Sequence, residues 1–161
     1  MLRKTLLASS IFGGLAFSTQ VFAAAEVNYD TLGCVVGPVH VIQHADGFMS
    51  GSFDLIDTHA DNPREGVLVG HCVGTFTVIG GEANSNGSCE YVNAAGDKYF
   101  GVFARKGGPE AEGTWRVVHG TGKFADMSEE GKYKSIGEFP PAGVANMISG
   151  CNHSWGTTKL K

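Results

Sequence analysis

Beyond Glu26, hydrophobic residues recur in alternation with polar ones, and windows with a 3.6-residue period are nearly absent. Runs rich in Val, Ile, Thr, Phe and Tyr are separated by Gly, Asn, Asp and Pro, the pattern of strands joined by turns. Eight strands are predicted: Thr31–His44, Gly47–Asp57, Gly66–Ile79, Gly87–Asn93, Asp97–Arg105, Gly113–His119, Gly131–Glu138 and Met147–Leu160. The joins His44-Ala45-Asp46-Gly47 and Ala94-Ala95-Gly96-Asp97 are short and contain Gly. Gly80 to Gly87 holds the Asn86-Gly87 pair that favours positive φ, so all three joins suit antiparallel neighbours. Thr58–Glu65 and Lys106–Glu112 carry Pro63 and Pro109 among charges and are predicted as solvent-facing loops. Only Gly122–Glu130 is expected to hold a helical turn. No repeat, linker or low-complexity tract divides residues 26–161, which predicts one domain. Eight antiparallel strands bury their edges by closing into an all-β, eight-stranded antiparallel β-barrel, which can enclose one small ligand. A sandwich is the alternative.

The start of the chain follows a different pattern. Met1-Leu2-Arg3-Lys4 is basic, Thr5 to Ala25 is apolar and free of charge, and Ala23 and Ala25 offer the small-residue spacing that a signal peptidase accepts. Residues 1–25 are therefore expected to be a signal peptide, cut after Ala23 or Ala25, and the mature protein to be periplasmic or secreted. Losing Arg3 and Lys4 from 12 basic residues leaves ten against 16 acids, a formal charge of −6. Such a chain has no basic stripe to neutralise phosphates, so nucleic acid is excluded as a partner. No later segment approaches the length of a membrane span.

In an exported small domain the four cysteines, Cys34, Cys72, Cys89 and Cys151, are expected to form two disulfides rather than a metal site, since no C-x-x-C pair occurs. Three pairings are possible. Strand adjacency favours Cys72 with Cys89 across one hairpin loop, and Cys34 with Cys151 where the first and last strands would meet. His40 and His44 stand about 13 Å apart on a strand, too far for one metal ion, and no metal or cofactor is expected. Gly120-Thr121-Gly122 lacks the context of a phosphate-binding loop, and no serine sits in G-x-S-x-G, so neither a nucleotide site nor a serine hydrolase has support.

Polar residues within apolar strands are the candidate chemistry, because a barrel that orients a ligand needs a few polar groups among apolar ones. His71 shares a strand face with Val69 and Val73, and Glu90 shares one with Val92. His119 follows Trp115 and Val117 at period two. If these faces point inward, His71, Glu90 and His119 are candidate acids or bases, Trp115 and Val117 wall a cavity, and Arg116 points to solvent. Tyr91 and Tyr99 flank a hairpin turn and either add phenolic hydroxyls to a pocket or pair across strands; cross-strand packing is the expected use, with Tyr99 also a candidate ligand contact. Phe124 is placed to fold back and plug one barrel end.

Gly113-Thr114-Trp115-Arg116-Val117-Val118-His119-Gly120-Thr121-Gly122-Lys123-Phe124-Ala125 resembles the strand-and-turn signature of the allene oxide cyclase barrel and the related dirigent proteins. Gly96-Asp97-Lys98-Tyr99-Phe100-Gly101 and Gly131-Lys132-Tyr133 resemble its flanking turns. The resemblance covers roughly Gly66 to Leu160. It implies a small calycin-like eight-stranded barrel and a bacterial, exported member of the group. Its relatives include isomerase-like cyclases and proteins that hold phenolic radicals.

Three functions follow as expectations. The first is an exported, cofactor-independent barrel enclosing a small apolar molecule. The second is a cofactor-independent isomerase or cyclase acting on a lipid-like or aromatic substrate, with Glu90, His71 or His119 steering protons. The third is a structural or interaction protein with a filled barrel. The sequence leaves the oligomeric state open.

Overall fold

The computed structural model describes residues 25–62, 66–108, 110–139 and 145–160. They form eight strands in chain order: β1 (Ala25–Ala45), β2 (Phe48–Asn62), β3 (Gly66–Ile79), β4 (Glu82–Val92), β5 (Lys98–Lys106), β6 (Gly113–Gly120), β7 (Ser128–Phe139) and β8 (Met147–Leu160). A single 3₁₀ turn, Gly122–Phe124, lies between β6 and β7. Every strand pairs antiparallel with its sequence neighbours, and β1 pairs with β8, so the sheet closes into a barrel. Closure leaves no free sheet edge, which is how an all-β chain of this size satisfies its backbone donors and acceptors without a second layer. The expected leader falls on residues up to 24, outside the described residues, as do Pro63 and Pro109. No helix among the described residues is long and apolar enough to cross a membrane.

All eight predicted strands are present, with different ends. β1 begins at Ala25, and β2 continues through Thr58 to Asn62, where a loop was expected. The β3–β4 turn is at Gly80 and Gly81, whose φ values of 60° and 87° suit the two central positions of a tight hairpin. Asn86-Gly87, expected to supply that turn, lies inside β4. Gly80 N–H donates to the Gly47 carbonyl, tying the two adjacent hairpin tips together.

Alternation along each strand sorts the barrel's faces. On β3, Leu68, Gly70 and Cys72 are buried while Val67, Val69, His71 and Val73 are exposed. One end of the barrel, carrying the β2–β3, β4–β5 and β6–β7 joins, is closed by Phe124 and Leu68, each 1% exposed, with Met127 beside them. Phe124 meets Tyr99 edge to face at 5.2 Å, and Lys123 lies over its ring. Two disulfides cross neighbouring strands at directly opposed positions. Cys34–Cys151 staples the β1–β8 seam, and the buried Cys72–Cys89 joins β3 to β4.

Candidate functional site

The barrel interior is not filled. Inward residues of the strands enclose a cavity of about 360 Å³, within the range of sites that hold small ligands. It runs from Asp57, Tyr91 and Glu129 near the closed end to Val39, Val78 and Ala83 at the opposite end. Its walls are mostly apolar and aromatic, with Phe53, Phe103, Tyr99 and Trp115 prominent among them. Tyr91 and Tyr99 are opposed on β4 and β5 and stack with ring centres 5.0 Å apart. The Trp115 indole meets Tyr91 edge to face at 5.7 Å. Gly101 on β5 leaves the space that this indole occupies, since a Cβ there would strike the ring.

Polar groups concentrate at the closed end. On β2, Phe53, Leu55, Asp57 and His59 share the inward parity, so the strand that supplies apolar wall also delivers a carboxylate and an imidazole. Tyr91 Oη donates to Asp57 Oδ2 at 2.5 Å. His59 Nε2, 3.1 Å from the same oxygen, donates to it as well, because a carboxylate only accepts. His59 Nδ1 lies 3.5 Å from Thr31 Oγ1 on β1. Asp57 is only 5% exposed, and its Oδ1 has no hydrogen-bond partner among the described residues. A second buried carboxylate, Glu129 on β7, accepts from Trp115 Nε1 at 2.9 Å and from Thr158 Oγ1 at 2.8 Å, which fixes the indole against the wall. Burial holds the Tyr91 phenol well above its ordinary pKa, and the charge of Asp57, the neighbouring Tyr99, the hydrogen bond to Asp57 and the charge of Glu129 act in the same direction. Tyr91 is therefore a neutral donor at physiological pH. Toward the other end, Arg105 donates to Ser135 Oγ at 2.7 Å, and Ser135 donates to Asn152.

The residues singled out in the sequence divide between this cavity and the outside. Trp115 and Tyr99 line it. Val117 is half-buried and packs against the core cluster, and Phe124 seals the barrel end below the cavity. Cys72 and Cys89 form part of the wall. His71 and Glu90 are opposed across the β3–β4 ladder and His119 lies beyond Phe100 on β6, all on the outer face, so none of them lines the cavity. His71 stands on the outer face of β3 and pairs with Asp54 at 2.6 Å, both side chains more than half exposed. Glu90 faces outward from β4 and pairs with Lys98 at 2.9 Å. His119 departs from the period of Trp115 and Val117 because Val118 is an extra residue. Gly101 pairs with Val117 but Phe100 pairs with His119, a β-bulge that turns the imidazole outward onto the Phe100 ring. Arg116 is exposed, as expected. His40 and His44 are exposed on β1, and His44 hydrogen-bonds Ser50.

Asp57, His59, Thr31 and Glu129 were missed in the sequence. Asp57 and His59 continue the odd-numbered inward series of Phe53 and Leu55, a signal hidden by ending the strand at Asp57. Glu129 was placed in a turn that the structure shows to end at Ser128.

No protein-family model matches the chain, and no curated protein matches it in sequence. Among solved structures, the fold is similar to that of the pterocarpan synthase dirigent protein GePTS1, with a TM-score of 0.51 and 10% identity over 93% of this chain and 99% of that one. The pterocarpan synthase dirigent protein PsPTS1 aligns with a TM-score of 0.48 and 10% identity over 86% and 98% of the two chains. At such identity the likeness to the first concerns the fold alone: this is a dirigent-like eight-stranded barrel.

Proposed function

We propose that the chain is an exported, cofactor-independent barrel that encloses a small, largely apolar molecule. The observation that carries this reading is the cavity of about 360 Å³, sealed by Phe124 and Leu68 at one end and walled mainly by aromatic and aliphatic side chains. A barrel serving only as a scaffold gains from filling such a space, because empty apolar volume destabilises a core. Export is supported by the basic and apolar start of the sequence and by two disulfides, which persist in oxidising compartments. Trp115 and Tyr99 serve in this reading as ligand walls, and Val117 and Phe124 as their support. The test uses a neutral apolar probe, butylbenzene, titrated into a Trp155→Phe variant that leaves Trp115 as the single indole. A saturable change in Trp115 emission is expected, weakened by the substitution Tyr99→Ala elsewhere in the cavity wall. Absence of any saturable change, with no small molecule extractable from protein purified from its native host, overturns the reading.

A second reading, an isomerase or cyclase working in the same cavity, is favoured by the hydrogen-bonded Tyr91, Asp57 and His59. The candidates His71, Glu90 and His119 stand outside the cavity, so in this reading proton handling passes to Tyr91, Asp57 and His59. His59→Ala separates the two: turnover of the extracted ligand lost with binding kept supports the enzyme, and weakened binding without turnover in the parent supports the carrier.

A further inference from the structure

Two buried carboxylates, Asp57 and Glu129, line the closed end of the cavity. The Tyr91 phenol donates to Asp57, and the Trp115 indole and Thr158 hydroxyl donate to Glu129. His59 turns Nε2 to the same Asp57 oxygen. These donors are committed to two buried carboxylates, yet Asp57 Oδ1 still has no hydrogen-bond partner among the described residues. A buried acceptor left in that state costs stability that a donor would recover. Asp57 lines the cavity, and its χ2 is a soft torsion, so a modest rotation presents this oxygen to an occupant. Tyr91, hydrogen-bonded to Asp57, packs with Tyr99 and Trp115, and aromatic rings of this kind attract cations. Two carboxylates in a low-dielectric pocket repel an anionic head strongly.

From this geometry we infer that the barrel selects small apolar molecules ending in a hydrogen-bond-donating head, a protonated amine above all, seated on Asp57, and rejects carboxylates. The inference rests on the ligand-binding reading above and names the ligand class of that site. The raised pKa of Tyr91, owed after burial to the nearby charges, agrees with a negative potential at this end. Arg105, paired with Ser135, lies toward the other end and does not offset it at the head position.

Four probes that share one body decide the matter: butylbenzene, phenylbutanol, phenylbutylamine and phenylbutyrate, titrated at neutral pH and read by Trp115 emission in the Trp155→Phe background. The amine is expected to bind about tenfold more tightly than the hydrocarbon, an energy of the size of one charge-assisted hydrogen bond, with the alcohol between them and phenylbutyrate weakest. Asp57→Asn keeps the shape and can still accept from Tyr91, so in this variant the amine should lose its roughly tenfold advantage and bind no more tightly than butylbenzene does. Phenylbutyrate binding as well as the amine, or an unchanged ranking in Asp57→Asn, overturns the inference. If that variant does not fold, the ranking in the parent decides. Butylbenzene bound with no advantage for the amine defeats the ligand class alone; no binding by any of the four defeats the binding reading with it.

Discussion

Tyr91 shows how a single residue couples packing to chemistry. Its ring is stacked on Tyr99 and its hydroxyl is held by Asp57 at a buried position, so the phenolate is penalised both by burial and by the nearby charge. Its folded pKa lies well above the ordinary 10.0, and the sign of the linkage follows. As pH passes 10 the unfolded chain releases this proton while the folded chain keeps it. The stabilising contribution is therefore complete below that value and declines as pH rises toward the folded pKa. An alkaline absorbance titration of native protein should show the same tyrosinate amplitude for the parent and Tyr91→Phe up to the onset of unfolding. Loss of about a quarter of the amplitude in the variant near pH 10 would show instead that Tyr91 titrates normally among the four tyrosines. A second residue-scale prediction concerns Gly101. Adding a methyl group there drives it into the Trp115 indole, so Gly101→Ala should cost about 1–3 kcal/mol in urea unfolding and shift Trp115 emission toward that of a wetter indole. An unchanged midpoint would mean that the ring moves aside freely. At this scale the site was only partly legible. The Trp115 face could be expected inward from alternation, but His71 could not be assigned to the exterior. Its neighbours Val69 and Val73 are apolar yet 49% and 44% exposed, so both faces of β3 look like a core face in the sequence.

At the scale of elements, existence was legible and phase was not. Turn residues and β-rich runs locate all eight strands, whereas the position of a bulge depends on how two strands register across the sheet. Val118 illustrates this: nothing in the β6 sequence marks it as the extra residue, and its presence reverses the side on which His119 emerges. β6 also has little pairing on its other edge. The β6–β7 ladder runs only from Gly113↔Tyr133 to Arg116↔Glu130, while β1–β8 runs from Ala25↔Leu160 to Pro38↔Met147. The barrel therefore has one short seam and one long seam bearing a disulfide. Local opening takes the path that breaks the fewest ladder bonds and exposes the least buried surface. Native-state hydrogen exchange should thus release the amides of β6 and β7 first and those of β1 and β8 last. Earlier exchange along β1–β8 would contradict the assignment of the weak seam. Opening between β6 and β7 also loosens Glu129 from Trp115, since the two lie on the strands that part. A ligand touching Trp115 should accordingly slow exchange along this seam.

For the whole molecule, closure of the barrel is a problem of chain ends, because its first and last strands must meet. Cys34 and Cys151 do this across a sequence separation of 117 residues, and Cys72 and Cys89 across 17. If a crosslink acts mainly by shrinking the unfolded ensemble, its effect grows with the logarithm of the loop it closes. The seam disulfide should then contribute about 5 kcal/mol and the hairpin disulfide about 3 kcal/mol. The first figure is comparable to the entire stability of many small domains. Cys34 and Cys151 are half-buried, so replacing both with serine leaves little cavity behind and tests the crosslink itself. The Cys34→Ser/Cys151→Ser protein should lose about 5 kcal/mol in urea unfolding, or fail to hold the barrel at all. If it folds, its m-value should rise, because an uncrosslinked unfolded chain exposes more surface. Since the cavity wall is built by all eight strands, with Cys151 among its residues, weakening this seam should also lower affinity for an apolar probe. An unaltered midpoint and m-value would mean that the long β1–β8 ladder closes the barrel unaided and that the disulfide constrains a chain end the ladder already holds.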